Sequence, residues 1–179
     1  MKKFVGSLLA IAIAIWSSQA TAQWRTKSGD TVPESEQVKS IDGFAAMLIL
    51  TSDANWMDEW NTPTAHEPSF TSSKEVSLGG ELHVLTVLSN PKLDPQKNAD
   101  VTCDFQVQRP DGSYSIDVKG MDCFKTRLES EPKNLYMTSA TLKFVSESSD
   151  QKGTYKIVVT LYDKNRGVSI TLSDAFVNK

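Results

Sequence analysis

Short apolar patterns of two kinds recur along the chain from Phe44 onward. In residues 99–108 the odd-numbered positions are apolar and the even-numbered ones carry Asp, Thr and Gln. This period of two places every apolar side chain on one face of a β-strand. Residues 44–51 are almost continuously apolar, which is typical of a strand buried on both faces.

Seven segments have such strand patterns. They are residues 44–51, 81–89, 99–108, 113–119, 135–147, 154–162 and 168–177. Turn-forming sequences separate several of them, and Arg109-Pro110-Asp111-Gly112 predicts a hairpin because proline fixes φ while glycine accepts a positive φ. Many short strands without a long amphipathic helix favour an all-β, seven-stranded antiparallel sandwich.

One short helix is expected after the first of these strands. Asp53 is placed to cap it, and Trp56 and Trp60, four residues apart, lie on one helical face. Two interpretations remain open for this aromatic face. It either plugs an open end of the sandwich, as paired Trp residues at helical spacing usually belong to a core, or forms a platform for a ligand.

The N-terminal segment has the features of a signal peptide. Lys2 and Lys3 precede the apolar residues 4–16, and Ala20-Thr21-Ala22 supplies the small residues that signal peptidase requires. We therefore expect cleavage after Ala22, export to the periplasm or beyond, and no permanent membrane span.

The remaining chain divides into two parts. The sequence predicts a signal peptide at 1–22, an extended or disordered leader at 23–43, and the folded domain at 44–179.

The chain has 19 Lys and Arg against 22 Asp and Glu, a formal net charge of −3, and removal of the two N-terminal lysines makes it −5. This balance argues against nucleic-acid binding, which requires an excess of positive charge.

The chain contains two cysteines, Cys103 and Cys123. In an oxidising compartment such a pair is typical of a structural disulfide, and the alternative is a free reactive thiol. Their spacing matches neither a redox motif nor a zinc site.

No familiar catalytic motif is present, and the two histidines, His66 and His83, stand in a proline-flanked loop and in a predicted strand. Asp94, Asn98 and Asp100 offer oxygen atoms for calcium but lack the spacing of a calcium loop, so a solvated turn is the better interpretation. We therefore predict no catalytic residue, no metal and no cofactor.

The stretch from Gly153 to Asp163 resembles the penultimate strand of immunoglobulin-like (Ig-like) domains, in which a Gly-x-Tyr sequence leads into alternating apolar residues and ends in Asp. The resemblance implies an Ig-like sandwich of the wider bacterial type. It also implies that the Tyr155 hydroxyl bonds back to the preceding connection. Antibody domains carry a Cys where this chain has Ile157.

Loops at the ends of such sandwiches frequently carry recognition. The candidate binding surface therefore combines the aromatic segment with the polar loop before the last strand, and a simple polar hairpin is the alternative for that loop. Its residues are Trp56, Trp60, His66, Asp163, Lys164, Asn165 and Arg166.

Three functions follow as hypotheses. The first is an exported, monomeric, non-enzymatic domain that binds a protein or glycan of the cell envelope. The second is a structural subunit or chaperone of a surface fibre that uses strand addition. The third is a hydrolase with an unrecognised site.

Overall fold

A computed structural model describes residues 32–62 and 69–179, which form two β-sheets and one short helix. The predicted signal peptide, the first part of the predicted leader and His66 lie outside the described residues. The elements are β1 (Val38–Ile41), β2 (Phe44–Thr51), α1 (Trp56–Asn61), β3 (Glu75–Val76), β4 (Glu81–Ser89), β5 (Asn98–Gln108), β6 (Tyr114–Arg127), β7 (Leu135–Met137), β8 (Leu142–Val145), β9 (Gly153–Asp163) and β10 (Val168–Asn178).

The strands are arranged in two five-stranded sheets. The first sheet has the order β1–β2–β4, and both β7 and β8 pair with β4 on its other side. The second sheet has the order β3–β10–β9–β5–β6. All pairs are antiparallel except β3–β10, which is parallel. The predicted all-β fold is confirmed.

The core lies between the two sheets. Alternate side chains of β2, β4, β5, β9 and β10 meet there, and the alternation predicted for β5 is confirmed because every second residue of this strand is buried. The largest fully buried side chains include Phe44, Phe105, Tyr155, Phe176, Leu82, Leu88, Ile157, Leu161 and Leu172.

The described chain contains ten strands, three more than the sequence patterns indicate. One of them, β1, lies inside the predicted leader and pairs with β2 through the turn at Asp42 and Gly43, whose φ angles are 48° and 85°. The sequence did not predict this strand because the segment around it is polar, although the Asp-Gly pair that follows is a strong hairpin signal. The folded part of the chain therefore begins before Phe44.

The other differences concern short or extended strands. The two-residue β3 is too brief to produce a pattern, and the single strand expected over residues 135–147 is divided into β7 and β8. β6 continues to Arg127, well beyond residue 119. Its polar and exposed sequence lacks clear alternation because this strand is an edge of the second sheet.

Three register shifts interrupt the pairing of β5 with the long edge strand β6. At one of them Thr102 pairs with Asp122 and Val101 pairs with Phe124, so Cys123 is an extra residue without a partner in the ladder. Cys123 is buried and forms a disulfide with Cys103, with 5.7 Å between the two Cα atoms. The predicted disulfide is confirmed, and it joins neighbouring strands of one sheet.

The outer faces of the two sheets differ in polarity. The outward positions of β5 are polar, whereas the outward positions of β2 and β4 are mainly apolar. Leu85 and Val87 point away from the core yet are only 0% and 2% exposed. The expectation that residues 44–51 form a strand buried on both faces is met except at the outward positions Met47 and Ile49, which are half-buried. Within the described residues, no helix is long and apolar enough to cross a membrane.

Candidate functional site

The structure separates the predicted binding surface into two parts at opposite ends of the sandwich. The loop after β9 lies beside the β1–β2 turn, since Arg166 Nη1 donates to the carbonyl of Asp42 at 2.6 Å. Trp56 lies near the other end of β2, beside His83, whose partner across the ladder is Thr51. Since β2 has eight residues, roughly 23 Å separates these ends.

Asp163 anchors a hydrogen-bond network within the polar loop. Its side chain is fully buried. One carboxylate oxygen accepts the Lys92 N–H at 2.8 Å and the Arg166 Nε–H at 3.3 Å, and the other accepts the Arg166 backbone N–H at 3.0 Å. Three donors therefore satisfy a carboxylate that water cannot reach.

Two neighbours of Asp163 extend the network to other loops. Arg166 Nη2 donates to the carbonyl of Asn90 at 2.9 Å, in addition to its bond with the β1–β2 turn. The Asn165 side-chain amide donates to the carbonyls of Lys92 and Asn98, both at 3.0 Å. These side chains hold four segments of the chain together.

Lys164 is the exposed member of the loop, and its ammonium lies 5.0 Å from the centre of the Tyr162 ring. The structure therefore gives Asp163, Asn165 and Arg166 internal partners and leaves Lys164 projecting. Sequence reasoning identified the loop but not its role in joining neighbouring loops.

The short helix α1 places Trp56 on the outer face of the first sheet. Trp56 is 9% exposed, and its ring centre lies 6.2 Å from that of the outward-facing His83. Trp60 is half-buried. The predicted helix is confirmed, but Asp53 does not cap it: the N-cap residue is Asn55, and the Asp53 carboxylate accepts the Thr71 N–H at 2.6 Å.

His83 is an unusual residue for the outer face of a sheet. Its Nε2 atom is buried, has no hydrogen-bond partner and lies 3.8 Å from the Glu81 carboxylate. Burial lowers the pKa of His83, the positive charge of Lys143 lowers it further, and Glu81 opposes both effects.

Two of the residues considered for calcium, Asp94 and Asn98, form a hydrogen-bonded turn. Asp94 Oδ1 accepts the N–H groups of Gln96 and Asn98 at 2.9 and 2.8 Å, and Oδ2 accepts the Asn98 side-chain amide at 2.9 Å. These bonds lower the pKa of Asp94, led by the one from the Asn98 side chain. Across residues 32–62 and 69–179, no group of three His, Cys, Asp or Glu residues is placed to hold a metal ion.

Sequence reasoning missed a cleft of about 330 Å³ on the open flank of the sandwich, between β8 and the β5–β6 hairpin. Behind it stand three aromatic rings, those of Phe144, Tyr155 and Phe176, whose centres lie 4.8 to 5.1 Å apart. The rim carries charges of both signs. The lining residues include Ile116, Leu142, Phe144 and Val145 on the apolar side and Arg109, Lys143, Glu147 and Asp150 on the polar side.

The alternation of Leu142 and Phe144 could be predicted from the sequence, but the opening of the cleft depends on the distance between the edges of the two sheets.

Beside the cleft, the Tyr155 hydroxyl donates to the Gln151 carbonyl at 3.1 Å, the contact that the resemblance implies for this tyrosine. Burial raises the pKa of Tyr155.

No family model and no curated protein matches the chain. Among solved structures, it is similar to part of an alkylpurine DNA glycosylase of Pseudomonas fluorescens bound to DNA containing an abasic site analogue. That match has a TM-score of 0.38 and 12% identity, over 59% of this chain and 28% of that one. It is also similar to part of a family 123 glycoside hydrolase from Clostridium perfringens, with a TM-score of 0.41 and 9% identity, over 75% of this chain and 27% of that one. The chain thus matches less than a third of either protein, and likeness at this level identifies neither fold family nor function.

Proposed function

We propose that this chain is an exported, non-enzymatic Ig-like domain that binds a protein or glycan of the cell envelope through the cleft between β8 and the β5–β6 hairpin. The cleft is the observation that carries the proposal. It combines an apolar lining with charged groups at the rim, the combination by which proteins bind and orient ligands. Its volume of about 330 Å³ suits a single side chain of a protein partner or one sugar unit.

The strand order supports the Ig-like assignment. Immunoglobulin sandwiches place strands A, B and E in one sheet and G, F and C in the other, and variable domains add C′ beside C. In this chain β2, β4 and the β7–β8 pair correspond to strands A, B and E. In the other sheet, β10, β9, β5 and β6 correspond to strands G, F, C and C′. The Tyr155 hydroxyl bond is a further likeness, whereas the disulfide differs because it lies within one sheet.

The rim of the cleft favours a partner with polar groups around an apolar centre. Lys143 pairs with Glu81 at 3.2 Å, and Arg109 Nη1 donates to the Tyr114 carbonyl at 2.7 Å. Arg109 is therefore anchored beside the cleft, whereas Lys143 belongs to an exposed ion pair and Glu147 is exposed. Groups fixed before binding lose little conformational entropy when a partner arrives.

The test compares two valines of equal exposure. Val145 lines the cleft and Val177 lies on β10 away from it, and each is 37% exposed. Residues 23–179, immobilised as wild type, Val145→Arg and Val177→Arg, are used to capture partners from envelope extract and to probe a glycan array. We expect capture by Val145→Arg to fall at least tenfold while Val177→Arg retains it.

Equal capture by the two variants, or no ligand in either assay, would refute the cleft as a binding site. Polymerisation of the purified protein would favour the fibre hypothesis instead. Export has its own test: the mass of protein recovered from the periplasm should correspond to a chain that begins at Gln23.

A further inference from the structure

The contact between Trp56 and His83 joins a titratable group to the only described helix. Both residues are about nine-tenths buried, with a ring separation of 6.2 Å. The His83 Nε2 atom has no acceptor or donor within hydrogen-bond distance. A neutral imidazole can occupy this site with Nε2 unprotonated. An imidazolium carries an N–H on both nitrogens, so its Nε2–H would need an acceptor that the site does not supply.

The groups that face His83 give little compensation for a positive charge. From β8, Lys143 is its partner across the ladder and brings a second cation. From its own strand, the Glu81 carboxylate lies 3.8 Å away but already pairs with Lys143 at 3.2 Å. From β2 the cross-strand partner is Thr51, which is neutral, and from α1 it is the apolar indole of Trp56. A buried charge in such surroundings is unfavourable.

We propose that His83 and Trp56 form an acid-sensitive contact: protonation of the imidazole displaces the indole and releases α1 from the outer face of the first sheet. The imidazolium gains water once the indole leaves, and the freed helix exposes an aromatic surface that is buried at neutral pH. This inference does not depend on the cleft or on its ligand.

Two contacts near α1 are independent of the contact between Trp56 and His83. Ser72 bridges to Thr51 at the end of β2, and the Thr71 N–H is held by the Asp53 carboxylate at 2.6 Å. These bonds do not involve Trp56. They can therefore persist while α1 leaves the sheet.

The direction of the pH dependence follows from the lowered pKa of His83. An imidazole exposed to water after release of α1 binds its proton at higher pH than the buried one, so the contact is fully formed above pH 6.5 and is lost as the pH falls through the pKa of the buried group.

The test uses tryptophan fluorescence between pH 8 and pH 4. In residues 23–179, Trp24→Phe and Trp60→Phe leave Trp56 as the only tryptophan. We expect a reversible red shift of its emission below pH 6.5, and we expect the shift to vanish in His83→Gln. His66→Gln is the matched control, because His66 is the only other histidine, and it should retain the shift.

A second measurement keeps the proposal falsifiable if His83→Gln disturbs folding. In the otherwise unchanged protein, the imidazole resonances of His83 should titrate with the same midpoint as the fluorescence. The proposal is overturned by a shift that persists in His83→Gln or disappears in His66→Gln, by unequal midpoints, or by loss of the strand signal in far-UV circular dichroism over the same pH range.

Discussion

Replacing Arg166 by Met tests whether the polar loop after β9 stabilises the fold. The substitution keeps an unbranched apolar stem but removes a guanidinium that bonds to Asp163, Asp42 and Asn90 at 3.3, 2.6 and 2.9 Å. Arg166 is only 22% exposed and the Asp163 carboxylate is fully buried. Water can replace the donor at the exposed Asp42 carbonyl, but it cannot replace the donor at the buried Asp163 carboxylate.

Two estimates of the effect agree. Three hydrogen bonds at about 1 kcal/mol each give a loss of about 3 kcal/mol. Breaking a buried ion pair costs about 3 to 5 kcal/mol, and the lower limit applies because two backbone N–H groups still reach Asp163. For a domain of this size, a loss of about 3 kcal/mol corresponds to a fall in Tm of about 10 °C.

Urea unfolding and calorimetry of Arg166→Met provide the assay. Lys164→Met is the matched control, because Lys164 belongs to the same loop but is exposed, and its effect should stay within about 0.5 kcal/mol. A loss below about 1 kcal/mol in Arg166→Met would refute the structural role of the network. Unchanged stability together with loss of partner capture would restore the recognition role predicted from the sequence.

Three further results are expected. Replacing both Cys103 and Cys123 by Ala should lower the free energy of unfolding by about 3 kcal/mol in urea titrations, since the bridge closes a loop of 20 residues. Tyr155→Phe removes the bond to the Gln151 carbonyl and should cost about 1 kcal/mol by the same measurement, whereas no loss would deny that bond a role. Hydrogen bonds, first from the Gln151 side chain, hold the pKa of Asp111 at about 2. The unfolded group titrates near 3.8, so this stabilisation is present above about pH 4 and lost as the pH falls to 2. The urea midpoints of wild type and Asp111→Asn should therefore converge over that range, and a constant difference would contradict the linkage.

Local sequence rules succeeded where neighbouring residues decide the structure. The alternation of β5 and the turn at Pro110 and Gly112 depend on side chains and φ angles within a few residues, and both are found as predicted. They failed where distant residues intervene. Asp53 is a good helix cap by type, but the Thr71 N–H, 18 residues away, takes its carboxylate.

The candidate site shows the same division. A run of Asp, Lys, Asn and Arg in a turn is normally solvated, and only the fold reveals that the Asp163 and Arg166 side chains bond to two other loops, the β1–β2 turn and the connection between β4 and β5. The cleft lies beyond sequence reasoning for a related reason. Its volume depends on the spacing between two sheet edges, and the alternation of Leu142 and Phe144 gives only the direction of the side chains.

The three register shifts along β6 have a consequence for the behaviour of the protein in a crowded compartment. A straight, 14-residue edge would offer a regular row of amide and carbonyl groups on which another molecule could grow a continuous sheet, the first step toward fibrils. The extra residues, Cys123 among them, break that row into short lengths, and Lys119 and Lys125 add charge beside the breaks. The bulge at Cys123 therefore does two things. It brings the sulfur atom inward to Cys103, and it hinders the exposed edge of β6 from pairing with strands of neighbouring molecules.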